Sequence, residues 1–338
     1  MNKRVMKWGR ALLTLGIIVG LVLFARTVNW HDTWASIKRA NGWMLLLASA
    51  VNIACLVVKG VRWWIFLRPI GSPSLWLAIR ATFAGAGLNN VLVANGGEAA
   101  RVIFVSRATQ IPSAKVLATL ALERMFELVG YVVMLALAVS FLTLPPSIER
   151  LRIFAWIALL VIAILFTYLI RRPQQVEIAI TPAVGWWSRT KQYGQRFLHT
   201  LGGISTGPRF AGALLLSVIG WAMQVATYHL TAMAAGFDLP LVGTVATLLA
   251  VNLGFAIRAT PGNVGLFQMM YAVTASAFGM QRDQAIAVAF LIQTQQIIPV
   301  TLLGIGLAPE FIFKKRRPLG SDRAIDEQRV TAGPADLG

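Results

Sequence analysis

Charge is scarce in this sequence. Asp, Glu, Lys and Arg make up 13% of its 338 residues, about half of the ~25% typical of soluble domains. A chain so poor in charge cannot clothe a soluble globule of ordinary composition. Acidic residues are the scarcest: 13 Asp and Glu stand against 31 Lys and Arg, a formal net charge of +18. The single cysteine, Cys55, excludes an intrachain disulfide, and its place within an apolar run marks a small core residue rather than a reactive thiol. The three histidines (His31, His199, His229) are scattered. They form no metal-ligand cluster and no nucleophile–base pair, so neither a metal nor a cofactor is expected.

Hydrophobic residues are abundant, at 57%, with a mean hydropathy of +0.67. Windows of ~20 apolar residues mark membrane spans, and they fall near 8–25, 42–58, 115–144, 151–170, 210–235 and 284–308. The basic excess then belongs to cytoplasmic loops rather than to nucleic-acid binding, because no basic soluble domain of adequate size is present. The basic N-terminus and the apolar run 11–25 read as an uncleaved first span, since no small-x-small cleavage site follows. In the 171–209 connection, Trp186, Trp187, Arg189, Lys191, Arg196 and Phe197 suit a helix lying in the headgroup layer. A single transmembrane domain over 1–310 is expected, followed by a basic, then disordered cytoplasmic tail over 311–338.

Two further apolar segments, 74–97 and 241–279, are interrupted by helix-breaking residues. The first carries Gly85, Gly87, Asn89, Asn90, Asn95, Gly96, Gly97 and Glu98, with Arg101 one turn later. The second carries Gly254, Arg258, Pro261, Gly262, Asn263, Gly265 and Gln268. Broken backbone at membrane depth survives only within protein or beside a water-filled cavity. A pair of breaks, one in each half, points to a transport site near the midplane.

Charge orients the chain. With the N-terminus cytoplasmic, segment 74–97 begins and ends inside, segment 241–279 begins and ends outside, and the last span ends inside at Lys314–Arg317. Under this arrangement 22 Lys/Arg lie on the cytoplasmic side and six outside, a strong positive-inside bias. Both broken segments are then re-entrant. The halves, about 1–145 and 150–310, become the same unit in opposite orientations. The predicted fold is thus all-α: a polytopic helical membrane protein with six spans and two re-entrant hairpins in an inverted repeat.

Intramembrane ionisable residues need a partner or a purpose. Arg258, within the second break, suits an anion site built from a guanidinium and free amides; the alternative is a buried arginine capping carbonyls of the break. Glu98 and Arg101 are three residues apart and suit an ion pair on one helix face. Glu123 and Glu127 share a face, with Arg124 placed to pair with Glu127. They form either a functional cluster or a charge network joining their span to the first break. Arg80 either snorkels or faces a cavity.

Together, Asn89 through Gly97-Glu98 and Arg101, Leu122-Glu123-Arg124, and Pro261-Gly262-Asn263-Val264-Gly265-Leu266-Phe267-Gln268 resemble the membrane region of lysylphosphatidylglycerol synthases. This is the flippase-like part of the bacterial multiple peptide resistance factor, a family that also has stand-alone members. The resemblance covers about 8–310. Ala94 stands near where the family usually has proline, Asn263 replaces the second glycine of a pair, and Gln268 replaces a frequent glutamate. The last change puts a titrating role at that position in doubt. The aminoacyltransferase domain is absent, so lysine transfer is not expected.

The resemblance implies translocation of an anionic or zwitterionic lipid between leaflets of the bacterial inner membrane. The residues expected at the headgroup are Arg258, Pro261, Gly262, Asn263, Gly265 and Gln268, with the first break as gate or support. The rivals are an intramembrane lipid-modifying enzyme using Glu98 or Glu123 as base, and an accessory subunit of a separate lipid-synthesis enzyme.

Overall fold

The computed structural model describes residues 29–71, 74–91, 96–141, 207–255 and 263–307, with scattered helical positions between 153 and 164. The expected span 8–25, most of span 151–170, the headgroup-layer helix of the 171–209 connection and the tail lie outside the described residues. Among the described residues the protein is helical and contains no strand. The helices are α1 (Trp30–Arg39), α2 (Gly42–Gly71), α3 (Leu75–Val91), α4 (Gly96–Thr109), α5 (Ser113–Phe141), α6 (Gly207–Ala234), α7 (Leu241–Gly254), α8 (Leu266–Ser276) and α9 (Arg282–Leu307).

Length separates them into two kinds. Helices α2, α5, α6 and α9 are long and apolar enough to cross a membrane; at 1.5 Å per residue each exceeds the ~30 Å hydrocarbon core. Helices α3, α4, α7 and α8 have 17, 14, 14 and 11 residues. They reach only ~16–26 Å, and they pack as two hairpins, α3 on α4 and α7 on α8.

Helix α2 departs from expectation. The apolar window ends near residue 58, yet the helix continues to Gly71, where Pro69 and the φ of +151° at Gly71 end it. Lys59, Arg62 and Arg68, beyond the end of that window, are helical. Arg68 is held against the Trp64 ring at 4.8 Å, and Arg62 is buried.

The described helices hold two main apolar clusters. One gathers Trp63, Phe66, Val105, Leu122 and Phe126 from α2, α4 and α5. The other gathers Tyr228, Leu248, Phe267, Tyr271, Ile286 and Ile292 from α6 to α9. The first hairpin packs on α9 through α3, where small residues let backbones meet. A Cβ on Gly304 would lie 2.7 Å from the Phe83 carbonyl oxygen, closer than any side chain tolerates.

Candidate functional site

Much of the first interrupted segment is helical. Gly85, Gly87, Asn89 and Asn90 are all helical: α3 runs to Val91, and α4 begins at Gly96. Helix α4 then folds back so closely that a Cβ on Gly97 would sit 2.0 Å from the Gly85 carbonyl oxygen. The Asn89 side chain accepts the Gly97 N–H at 2.9 Å. This satisfies one of the amides that a helix start leaves without partners, and it fastens the two arms.

Beside this hairpin lies an ionic network of four cations and three carboxylates. Arg62 on α2 donates to Glu127 at 3.2 Å, to Glu123 at 3.5 Å and to Ser217 on α6 at 3.0 Å. Lys59 approaches Glu127 at 3.6 Å. Arg101 on α4 meets Glu123 at 2.9 Å as an ion pair outside hydrogen-bond geometry. Its guanidinium lies 3.6 Å from the centre of the Trp63 ring, and Trp63 Nε1 donates to Thr119. Arg124 pairs with Glu127 at 2.5 Å and also with Glu98.

These contacts correct one pairing expected from spacing and show another. Glu98 and Arg101 do not serve one another: each pairs with α5, Glu98 with Arg124 and Arg101 with Glu123. The Arg124–Glu127 pair forms as expected, and the cluster does join α5 to the first hairpin. Sequence reasoning missed Arg62, the cation that bridges both carboxylates of α5. The available signal was an arginine three residues after Lys59 in a still largely apolar stretch, Val61 to Leu67. A buried carboxylate such as Glu123 persists only because cations from two other helices compensate it.

A second set of polar contacts surrounds Pro299 in α9. Proline has no N–H, so the carbonyl of residue 295 lacks its helical partner. Asn52 of α2 donates to that carbonyl at 3.3 Å. Asn90 of α3 donates to the carbonyls of Gln296 and Ile297, each at 3.4 Å, and to Thr301 at 3.2 Å.

At the second break, Arg258, Pro261 and Gly262 lie outside the described residues. Gly265, with φ at +91°, caps the start of α8. Gln268 is buried; its Oε1 accepts the Gly265 N–H at 2.6 Å and its Nε2 donates to Gln293 at 2.5 Å. The amide at this position therefore caps a helix and bridges to α9. Asn263, with φ at +58°, is 4% exposed, and neither side-chain polar atom has a partner among the described residues. Cys55 is buried and donates to the Gly220 carbonyl. Arg80 donates to the Leu307 carbonyl and lies 5.8 Å from the Phe104 ring centre.

One cavity of about 510 Å³ connects these features. Asn89, Gly97, Glu98 and Arg101 line it from the first hairpin, and Asn252, Phe255 and Asn263 from the second. Between them α2, α3, α6 and α9 contribute the amides Asn52, Asn90, Gln224, Gln293 and Gln296, and α5 contributes Glu123, Arg124 and Glu127. The cavity's size is in the ordinary range for a ligand pocket. Among the described residues there is no group of His, Cys, Asp or Glu able to hold a metal ion.

The family described as lysylphosphatidylglycerol synthase TM region matches residues 11–304. The chain is 24% identical over 317 residues to UPF0104 membrane protein PH1989 of Pyrococcus horikoshii, covering 85% of this chain and 94% of that protein. It is 21% identical over 277 residues to UPF0104 membrane protein MJ1595 of Methanocaldococcus jannaschii, covering 77% and 82%. It is also 24% identical over 322 residues to glycosyltransferase AglD of Haloferax volcanii, covering 85% of this chain but 52% of that protein. The chain belongs to the lysylphosphatidylglycerol synthase TM region family.

Proposed function

We propose that this family member moves a lipid between the leaflets of a bacterial inner membrane. The observation that carries the reading is one polar cavity lined by both helix hairpins. A headgroup needs such a path, because the hydrocarbon core offers it no hydrogen bonds. The short arms of both hairpins support re-entrance, since none is long enough to span. The 22-to-six distribution of basic residues supports entry from opposite faces, with both termini cytoplasmic. Two such units in opposite orientations would expose the cavity alternately as the halves rock.

In this reading Arg258 and the free amides around Pro261, Gly262 and Asn263 take the lipid phosphate. The ionic network closes the cytoplasmic side. Leaflet-resolved transport of fluorescent phospholipids in proteoliposomes tests it. The purified protein accelerates exchange between leaflets, and Arg258→Ala reduces the rate at least about tenfold if it removes a charge-assisted contact to phosphate. Wild-type rates from that variant would sink the headgroup role, and no acceleration by the native protein would sink translocation.

A second reading is favoured by the likeness to a protein named a glycosyltransferase, about half of which lies outside the shared region. A membrane region of this kind could serve a separate lipid-synthesis enzyme. Co-purification of such an enzyme, with no intrinsic lipid movement, selects that role. Conversion of a lipid by the purified chain alone, followed by mass spectrometry, selects intramembrane catalysis by Glu98 or Glu123.

A further inference from the structure

The ionised and the neutral parts of the cavity wall differ in what they leave open. Lys59, Arg101 and Arg124 line it, and each is charge-paired with Glu127, Glu123 or Glu98; of these, Arg101 keeps Nε and Nη2 without a hydrogen-bond partner among the described residues, donors that suit the lipid phosphate. A cationic headgroup finds no unpaired carboxylate among these residues. The amides are different. Asn52, Asn90 and Asn252 each use the side-chain N–H₂ on a backbone carbonyl, leaving Oδ1 as an acceptor without a partner among the described residues. Asn89 uses Oδ1 on Gly97 and leaves its N–H₂ as a donor. Among the described residues Gln224 has both functions open, and so does Asn263, more than nine-tenths buried.

The wall thus presents open donors and open acceptors together. A phosphate or carboxylate only accepts and an ammonium only donates. A hydroxyl does both, and it is the group that satisfies a mixed set of amides. A buried polar group left unmet costs free energy, so the wall selects for a headgroup rich in hydroxyls. Glycerol, with a single pair of hydroxyls, meets few of these amides; a sugar ring meets several. We propose that the cavity takes a glycosylated lipid headgroup, an uncharged sugar joined to the lipid phosphate, with the amides of α2, α3, α6, α7 and Asn263 as its binding wall. The inference rests on the cavity being the headgroup's site.

The experiment is a retention competition. Full-length protein in mixed micelles receives equal amounts of three lipids with identical acyl chains: a hexosyl-phosphate lipid, phosphatidylglycerol and lysyl-phosphatidylglycerol. Lipid retained after washing is quantified by mass spectrometry. Two net hydrogen bonds of ordinary strength give roughly tenfold enrichment of the hexosyl lipid over either competitor. Gln224→Leu and Asn263→Leu each reduce that enrichment about threefold. Equal retention of all three lipids, or enrichment of the lysyl lipid, overturns the inference. If a variant fails to fold, retention by the native protein alone still separates these outcomes. Leaflet-resolved transport of the same lipids separates the two claims. A hexosyl lipid retained but not moved removes translocation and keeps the sugar site; equal movement of all three does the reverse.

Discussion

Asn52 and Gln295 meet across two helices: the side chain of the first donates, at 3.3 Å, to the backbone carbonyl that Pro299 deprives of its helical partner. The carbonyl opened by Pro299 in α9 is thereby met from α2, and Asn90 of α3 donates to the next two carbonyls, of Gln296 and Ile297. The polar residues near Pro299 hold the first half of the chain to the last helix.

This relationship has a thermodynamic signature. Asn52→Leu leaves a buried carbonyl unmet and costs about 1–3 kcal/mol. In a Pro299→Ala background the helix supplies residue 299's own N–H, so the same substitution costs little. A double-mutant cycle read by thermal unfolding in detergent checks it. Additive losses show that Asn52 and Pro299 are not coupled.

The ionic network makes a steeper prediction. Arg62→Met leaves Glu123 and Glu127 without the cation that bridges them, a loss of about 3–5 kcal/mol for a broken buried pair. Adding Glu123→Gln and Glu127→Gln recovers part of it, because no buried carboxylate is then under-compensated. Midpoints of chemical or thermal unfolding compare the single and triple variants. A single variant as stable as the native protein means the network carries no such load.

The hairpin crossing allows only glycine at one position. Gly97→Ala drives a methyl group into the Gly85 carbonyl, backbone against backbone, and loses folded protein on size-exclusion chromatography. Gly306→Ala, where nothing lies within 4 Å, is neutral or gains up to about 1 kcal/mol from helix propensity. A well-folded Gly97→Ala protein means the arms separate more easily than this crossing allows.

Whether the first hairpin moves is tested by tethering it. Cysteines replacing Glu98 and Arg124, in a Cys55→Ala background, place thiols on partners that now form an ion pair. Linking them with a short bis-maleimide halts leaflet exchange if the hairpin is a gate, and reduction-insensitive arrest appears only in the crosslinked sample. Unchanged exchange assigns the hairpin a supporting role.

The two breaks were legible in the sequence because glycine, proline and asparagine interrupt otherwise apolar runs, and lipid tolerates few reasons for that. The partners of the charges were less legible. Spacing three apart joined Arg124 to Glu127 correctly, since that pair lies on one helix. The same rule misassigned Glu98 and Arg101, because α5 brings a closer partner to each. Arg62 escaped notice because the hydropathy window ended at residue 58, while the helix continues another three turns and more.

The sequence by itself determined the class of molecule: too little charge for a soluble surface, apolar windows of spanning length, a basic bias with a direction, and two breaks that need shelter. These follow from composition and local order, on which solvent and lipid act directly. Only the tertiary structure decided which residues share the cavity. Asn52, Asn89, Gln224 and Asn263 lie far apart along the chain, and nothing local tells an amide whether its N–H₂ faces a carbonyl opened by proline or open space. Packing of α2, α3, α6 and α9 made that choice. It left the charges compensated and the amides with functions still open.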